Sequence, residues 1–145
     1  MKLPSQDELE SRLAIFHDAL EAAAHHGEAR FLALFQNPPS GIGMHEIDLD
    51  HRIRRVNPEE LRILRYAESD MVGRPAWDFI VMQEASQRAI QRKFSPDQEL
   101  KPFLRTFRRS DGAGVAMLLM DRRLVDRQGK VIGLRTAMIE VPANT

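Results

Sequence analysis

The chain has 145 residues, of which 43% are hydrophobic and 29% charged, and its 21 basic and 21 acidic residues leave no net charge. This composition is typical of a single soluble globular domain, and the balanced charge provides no general attraction to nucleic acid or anionic membranes. The absence of cysteine excludes disulfides, thiolate metal sites and cysteine nucleophiles, and agrees with a reducing cytoplasm. Residues 115–120, an apolar run, fall far short of the roughly 20 residues of a membrane helix. We therefore expect a cytoplasmic protein that binds neither nucleic acid nor membranes.

Residues 5–35 predict one long helix or two abutting helices. Ser5 and Glu8 have the spacing of a capping box. Apolar residues then recur at alternating intervals of four and three, and the pattern slips at Gly27. Two interpretations stay open: the helix packs on its own domain, or it pairs with a second copy. We treat residues 1–36 as an amphipathic dimerisation or signalling helix, separate from a domain over 37–145, with a dimer seam formed by Leu9, Leu13, Phe16 and Leu20.

Two short strands and a helix follow the breaker cluster NPPSG. The strands cover residues 41–50 and 52–57, with a two-residue turn predicted at Asp50-His51. The second strand runs into a helix without a loop, in the segment RIRRVNPEELRILRY. Asn57 can cap that helix with its side chain, and Pro58 supplies the fixed φ of the first turn, so no loop is required.

The remaining chain changes from helical to strand periodicity. Residues 69–80 allow only short helical pieces, and residues 82–94 predict an amphipathic helix. Three alternating segments then predict an antiparallel meander, over residues 101–109, 115–125 and 131–141. The first of these strands has two open registers: either Phe103, Arg105 and Phe107 face inward, or Leu104 and Thr106 do.

This order of elements resembles the PAS sensor domain family over roughly residues 31–141. The resemblance rests on five pieces in sequence: FLALFQNPPSGIGMHEIDLDHRI, RRVNPEELRIL, MVGRPAWDFI, FRRSDGAGVAM and DRQGKVIGLRTAMIEV. It implies an α+β fold, with a five-stranded antiparallel sheet in the order 2-1-5-4-3, short helices on one face and the long N-terminal helix ahead of them. It also implies a cavity between the sheet and those helices, which is either packed or holds haem, flavin or a small metabolite.

The same resemblance implies a sensory or dimerisation module of a bacterial signal-transduction protein, and not an enzyme. Such a module forms a homodimer and relays a signal through its flanking helices to an output domain, such as a kinase or cyclase, in a missing C-terminal part or in trans. Two alternatives stay open. One is a structural dimerisation domain without ligand. The other is a small cone-shaped isomerase or dehydratase, which requires a buried Asp/His pair, and the histidines sit in the wrong places for one.

The resemblance also indicates where a ligand would bind. Trp77 and Phe79 would roof the cavity, and Arg105, if inward, would be a cation in need of a carboxylate. No histidine lies in residues 82–94, so haem is disfavoured, and cysteine-linked flavin is excluded. We expect no metal site, because His25 and His26 diverge on a helix. The candidate walls are Val56, Leu61, Leu64, Ile90, Phe94, Met117, Leu119 and Met138.

Three features depart from the family pattern. Arg65 stands where a glycine commonly ends the helix, and His51 occupies a hairpin position that is often glycine. The last strand ends in EVP without the usual hydroxyl, which favours the N-terminal helix as the transmitting element. We interpret the carboxylates of Glu46, Asp48 and Asp50 as a solvated sheet edge. We interpret the arginine clusters at residues 52–55, 105–109 and 122–127 as an exposed sheet face and turns.

Overall fold

The computed structural model describes residues 3–142. Its helices are α1 (Gln6–Ala24), α2 (Glu28–Gln36), α3 (Pro58–Leu64), α4 (Glu68–Met71) and α5 (Gln83–Arg92), with a 3₁₀ helix at Ala76–Phe79. Its strands are β1 (Ile42–Asp48), β2 (Ile53–Val56), β3 (Phe103–Arg108), β4 (Gly114–Val125) and β5 (Val131–Glu140). None of the helices within residues 3–142 combines the length and the apolar character needed to cross a membrane.

The five strands form one antiparallel sheet in the order β2-β1-β5-β4-β3, which confirms the predicted α+β architecture. Both faces of the sheet are covered, and each has its own cluster of buried apolar side chains. The inner face packs against α3, α4, the 3₁₀ helix and α5. The outer face packs against α1 and α2. The prediction placed helices on one face only, so the covering of the outer face is the main addition of the structure.

The N-terminal region forms two helices, which is the second of the alternatives left open by the sequence. Ser5 caps α1 as predicted, and its hydroxyl accepts a hydrogen bond from the amide of Glu8 at 3.2 Å. Gly27 separates α1 from α2 with a φ of 115°, a conformation that residues with a side chain rarely adopt. The chain turns there, and α2 can lie on the same sheet face as α1.

The predicted dimer seam is corrected by this packing. Leu9, Leu13, Phe16 and Leu20 are at most 3% exposed, and they pack on the outer face of the sheet. The stripe on α1 therefore meets the sheet of its own chain, because that face would otherwise expose a second apolar surface to water. The sheet residues in this cluster are Ile42, Met44, Leu118, Ala137 and Ile139. Both α1 and α2 share one core with the sheet. The division of the chain into two parts at residue 36 stays a prediction.

Two polar contacts fasten α1 to β4. The imidazole of His17 is fully buried, and its Nε2 donates to the carbonyl oxygen of Met120 at 2.9 Å. The guanidinium of Arg122 lies 2.7 Å from the carboxylate of Asp18 and 2.9 Å from that of Glu21. Burial lowers the pKa of His17 from 6.5 to about 4, although the bond to Met120 acts in the opposite direction.

We expect His17 to make the fold sensitive to acid. Between pH 6.5 and about 4 the unfolded chain binds a proton at this residue and the folded chain does not, so the free energy of unfolding falls as the pH is lowered. The loss approaches about 3 kcal/mol at the low end of that range. Denaturant unfolding at neutral pH and near pH 4.5 measures it, and His17→Gln should lose less stability than the parent protein. His25→Gln, on the exposed end of α1, is the control, and an equal acid loss in all three proteins would contradict the expectation.

The β1–β2 hairpin turn differs from the predicted one. The amide of His51 donates to the carbonyl of Asp48 at 2.9 Å, so the central turn residues are Leu49 and Asp50, and not Asp50 and His51. His51 follows with a φ of 64°, as in a three-residue hairpin loop. The predicted turn is one residue out of register because Asp48 supplies the side-chain acceptor, which binds the amide of Asp50 at 2.8 Å.

Arg65 ends α3 in the left-handed conformation expected of a glycine, with a φ of 65°. Its amide donates to the carbonyl of Leu61 at 2.7 Å, and its guanidinium lies 2.5 Å from the carboxylate of Asp111. The hydroxyl of Ser110 donates to the Arg65 carbonyl. These contacts with the β3–β4 turn offset the conformational cost of a non-glycine residue at this position.

The arginine clusters are more buried than the sequence indicates. Arg123 donates to the carbonyls of Lys93 and Ser95, both at 2.8 Å, and so holds the connection between α5 and β3. Arg109 pairs with Glu140 at 3.4 Å. The interpretation of the clusters as an exposed set is wrong for four half-buried members: Arg55, Arg109, Arg122 and Arg123. Arg105, whose register was left open, is also half-buried.

Candidate functional site

The register of β3 decides which side chains reach the space under the inner-face helices. Phe107 is buried and Phe103 and Arg105 are half-buried, whereas Leu104 is 57% exposed. The first three therefore face inward, which resolves the two registers left open by the sequence. Burial of the two phenylalanine rings favours this register, because the opposite one would expose both rings to water.

A cavity of about 30 Å³ lies between the inner face of the sheet and α5. A space of this size holds about two water molecules. Aliphatic and phenylalanine side chains form most of its wall. The polar and charged side chains in the wall are His45, Lys93, Arg105, Asp121 and Thr136.

Three of the predicted pocket residues line this cavity: Ile90, Arg105 and Leu119. The others belong to the packed core around it and do not line it. Methionine and aromatic side chains fill irregular gaps closely, so the protein itself fills most of the space that these predicted pocket residues would line. The core residues in question are Val56, Leu61, Leu64, Trp77, Phe79, Phe94, Met117 and Met138.

A row of polar side chains crosses the sheet beneath the cavity. His45 on β1 lies opposite Thr136 on β5, and Thr136 lies opposite Asp121 on β4. The carboxylate of Asp121 accepts from the Thr136 hydroxyl at 2.5 Å and lies 2.6 Å from the ammonium of Lys93 on α5. All four side chains are buried. A charged carboxylate is tolerated there because its oxygens are paired with a cation and a hydroxyl.

Two cations share the ring of Phe103. The ammonium of Lys93 lies 3.7 Å from the ring centroid, and the guanidinium carbon of Arg105 lies 5.1 Å from it. Burial lowers the pKa of Lys93, the charge of Asp121 opposes this shift, and the charge of Arg105 adds to it. Burial also lowers the pKa of Arg105, again opposed by Asp121. One carboxylate thus stands against two positive charges at this end of the cavity.

A second buried pair joins His45 to Glu60 of α3. The Nδ1 of His45 lies 2.8 and 3.0 Å from the two carboxylate oxygens, and Glu60 is fully buried. Gly43 allows this approach of α3 to β1, since a Cβ there would lie 2.9 Å from the Cβ of Glu60. Burial alone would lower the pKa of His45, but the negative charge of Glu60 outweighs it and the pKa is raised.

This pair was not predicted from the sequence. The expectation that all five histidines sit in the wrong places for a buried acid–base pair is wrong for His45, which is buried beside Glu60. The available signal was the alternation that puts His45 and Ile47 on one strand face, because Ile47 is a core residue. Glu60 gave no signal, since a glutamate in the first turn of a helix is most simply explained by the helix dipole.

We expect Glu60→Gln to lower the pKa of His45 below its ordinary value, because burial then acts without the opposing carboxylate. An NMR titration of the imidazole carbon-bound protons measures this pKa directly. Glu59→Gln, the neighbouring helix position, is the control and should leave the titration unchanged. A His45 titration that does not move in Glu60→Gln would show that Glu60 is not what holds the proton.

Two of the three carboxylates interpreted as a solvated sheet edge are paired with arginines. Glu46 is 6% exposed and lies 2.8 Å from Arg135 and 2.9 Å from Arg55, so the interpretation as a solvated edge is wrong for this residue. Asp48 pairs with Arg54. Across residues 3–142, no group of three His, Asp or Glu side chains is arranged to hold a metal ion.

Comparison with known proteins identifies the fold. The PAS fold family matches residues 29–140, about three quarters of the chain. The chain belongs to the PAS family. This membership confirms the resemblance inferred from the sequence, and the matched segment begins within α2. PAS domains are typically sensory modules of signal-transduction proteins.

Solved PAS domains and one curated sensor are similar to this PAS domain. The PAS domain of an HTR-like protein from Haloarcula marismortui is 26% identical with a TM-score of 0.65, covering 86% of this chain and 97% of that one. The PAS domain, in complex with ethanol, of a LuxR-family transcriptional regulator from Burkholderia thailandensis is 22% identical with a TM-score of 0.61, covering 78% of this chain and 98% of that one, and shows the fold alone. The C4-dicarboxylate transport sensor protein DctS from Rhodobacter capsulatus is 30% identical over 105 residues, which are 69% of this chain and 16% of that protein. The PAS domain therefore spans about one sixth of that relative.

The cavity of this PAS domain does not fit a large cofactor. Pockets for cofactor-sized ligands begin at roughly 300 Å³, and this cavity measures about 30 Å³. The absence of cysteine also excludes a covalent flavin adduct. The cavity is therefore too small for haem or flavin and has room for only a few atoms.

Proposed function

We propose that this PAS domain is the sensory part of a signal-transduction protein, and that it binds a small ligand in the cavity between the inner face of the sheet and α5. The bound ligand changes the position of Asp121, and the change reaches α1 on the opposite face. An output domain on the same protein or on a partner then responds to α1.

The observation that carries this proposal is the position of Asp121 between two residues that hold α1. Its side chain lines the cavity, while the carbonyl of Met120 binds His17 and the guanidinium of Arg122 binds Asp18 and Glu21. Side chains alternate across a strand, so a shift of β4 at Asp121 necessarily moves both neighbours on the outer face. The cavity and α1 are thus connected through three consecutive residues of one strand.

The size of the cavity limits what the relatives suggest. DctS is named for C4-dicarboxylate transport, but a four-carbon dicarboxylate has about eight non-hydrogen atoms and exceeds a space for about two waters. We therefore propose a smaller ligand for this domain. We also propose that it acts as a homodimer, through a surface other than the four leucine and phenylalanine residues that α1 buries against its own sheet.

Methyl NMR of isoleucine- and leucine-labelled protein tests the sensory role. A library of small metabolites should contain a compound that shifts the methyl resonances of Ile47, Ile80 and Ile90 in the cavity wall. The same compound should shift the methyl resonances of Leu13 and Leu20 on the buried face of α1. Arg122→Gln should reduce the response of Leu13 and Leu20 and keep the cavity response. Arg127→Gln, an exposed arginine of the β4–β5 turn, is the matched control. A ligand that shifts the cavity methyls alone would contradict transmission, and a library without any such ligand would contradict the sensory role.

The close packing of the inner face favours a second candidate, a structural dimerisation domain without a ligand. Most of the predicted pocket residues form a filled core. The same NMR library decides between the two candidates, because a structural domain predicts no shift of the cavity methyls. Its solution mass should then still be that of a dimer.

A further inference from the structure

We infer that the ligand of this PAS domain is a compact anion, of the size of chloride or formate, bound between Arg105 and Lys93. The inference rests on the proposed function and specifies the chemical class of its ligand. Its basis is an unbalanced charge and an excess of hydrogen-bond donors around a space of about 30 Å³.

The charges facing the cavity do not balance within the chain. Asp121 is the one carboxylate in the cavity wall formed by residues 3–142, and it is paired with Lys93 at 2.6 Å. The carboxylate of Glu60 lies behind His45 and is paired with it. Among the described residues, Arg105 has no hydrogen-bond acceptor and no ion-pair partner. Its guanidinium makes a cation–π contact with the ring of Phe103. One positive charge at the cavity therefore lacks a counter-charge among the described residues, and a counter-ion would stabilise this partly desolvated cation.

The donors around the cavity also exceed the acceptors. Arg105 and Lys93 carry only N–H donors. The only charged acceptor in the wall formed by residues 3–142 is the Asp121 carboxylate, and each of its oxygens already has a partner, Thr136 on one and Lys93 on the other. The neutral Thr136 hydroxyl supplies no negative charge. A guest that offers acceptors without donors therefore fits this wall, and a compact anion does so while supplying the missing negative charge.

The position of Arg105 gives such a guest a route. Arg105 lines the cavity and also borders an open surface groove next to Ile80, Met82 and Leu104. Arg105 thus borders both the open groove and the cavity that Lys93 lines, and both cations lie near the ring of Phe103. An anion entering from the groove meets Arg105 first and then the ammonium of Lys93. The volume limits it to about three non-hydrogen atoms.

Calorimetry and methyl NMR with formate and its neutral isostere formamide test this inference. The two molecules have the same shape, so charge is the main difference between them. Ionic strength is held constant with sodium gluconate in a sulfonate buffer, because both anions are far too large for the cavity. Formate should bind and shift the methyls of Ile47, Ile80 and Ile90, and formamide should bind on the order of tenfold more weakly or not at all.

Three arginine variants show whether the anion binds where the charges predict. Arg105→Gln should weaken formate binding on the order of tenfold or more, and Arg105→Lys, which keeps the charge, should restore part of it. Arg108→Gln on the exposed face of the same strand is the control and should bind like the parent protein. Thermal melts of all three variants verify folding.

The outcomes separate this inference from the proposed function. If formamide or another neutral compound shifts the cavity methyls as well as formate does, the sensory role stands and the anion assignment is wrong. Formate binding that is unchanged in Arg105→Gln also overturns the assignment. If neither charged nor neutral small molecules affect the cavity methyls, the sensory role and the anion assignment fail together.

Discussion

Gly133→Ala is expected to lower the free energy of unfolding by about 3 kcal/mol or more, the largest loss among the substitutions considered. Gly133 lies in β5, the central strand of the sheet, opposite Asp48 of β1 and Leu124 of β4. A Cβ at this position would lie 2.3 Å from the carbonyl oxygen of Ile47. That oxygen belongs to the backbone of the neighbouring strand, so the clash is relieved only by moving β1 away from β5. Chemical denaturation measures the loss.

Gly114→Ala is the matched control for this substitution. Gly114 also lies in a strand, but a Cβ there would meet only the methyl of Thr106, at 3.3 Å. We expect a change within about 1 kcal/mol, because alanine restricts the unfolded chain and the methyl group can move slightly. Equal destabilisation by the two substitutions would show that the close approach of β1 to Gly133 does not determine stability.

Asn57→Ala is expected to cost about 3 kcal/mol, because one fully buried side chain holds both α3 and β1. Its carbonyl oxygen accepts from the amide of Glu60 at 3.0 Å, which caps α3, and from the amide of Met44 at 2.9 Å in β1. Alanine removes the cap, worth about 1 kcal/mol. It also leaves the amide of Met44 buried without a partner, which costs about 1–3 kcal/mol more.

Ser5→Ala separates these two contributions. Ser5 caps α1 through the same kind of bond, to the amide of Glu8, but it is exposed and holds no second element. Its replacement should cost about 1 kcal/mol or less. Urea unfolding of both variants gives the difference. A loss in Asn57→Ala as small as that in Ser5→Ala would mean that the bond to Met44 contributes little.

Local signals were sufficient for the order of helices and strands and for the helix caps. Ser5 and Asn57 were predicted as caps because a cap depends on residues three positions apart. The change of period from helix to strand near residue 96 located the meander, and the order of elements predicted the PAS fold. Arg65 stands where the family pattern has a glycine, and its left-handed conformation was not predictable, because its contacts are with Ser110 and Asp111, which lie far along the chain.

The sequence by itself determined which faces are apolar, and the tertiary structure decided what those faces meet. A stripe such as Leu13 and Leu20 shows that a helix face is buried, but its own sheet and a second copy satisfy that requirement equally well. The inward register of Arg105 and the row of His45, Thr136 and Asp121 depend on how strands pair, and pairing unites residues that are distant in the chain. The size of the cavity depends on how side chains from every surrounding element fill one space, and no local pattern records that.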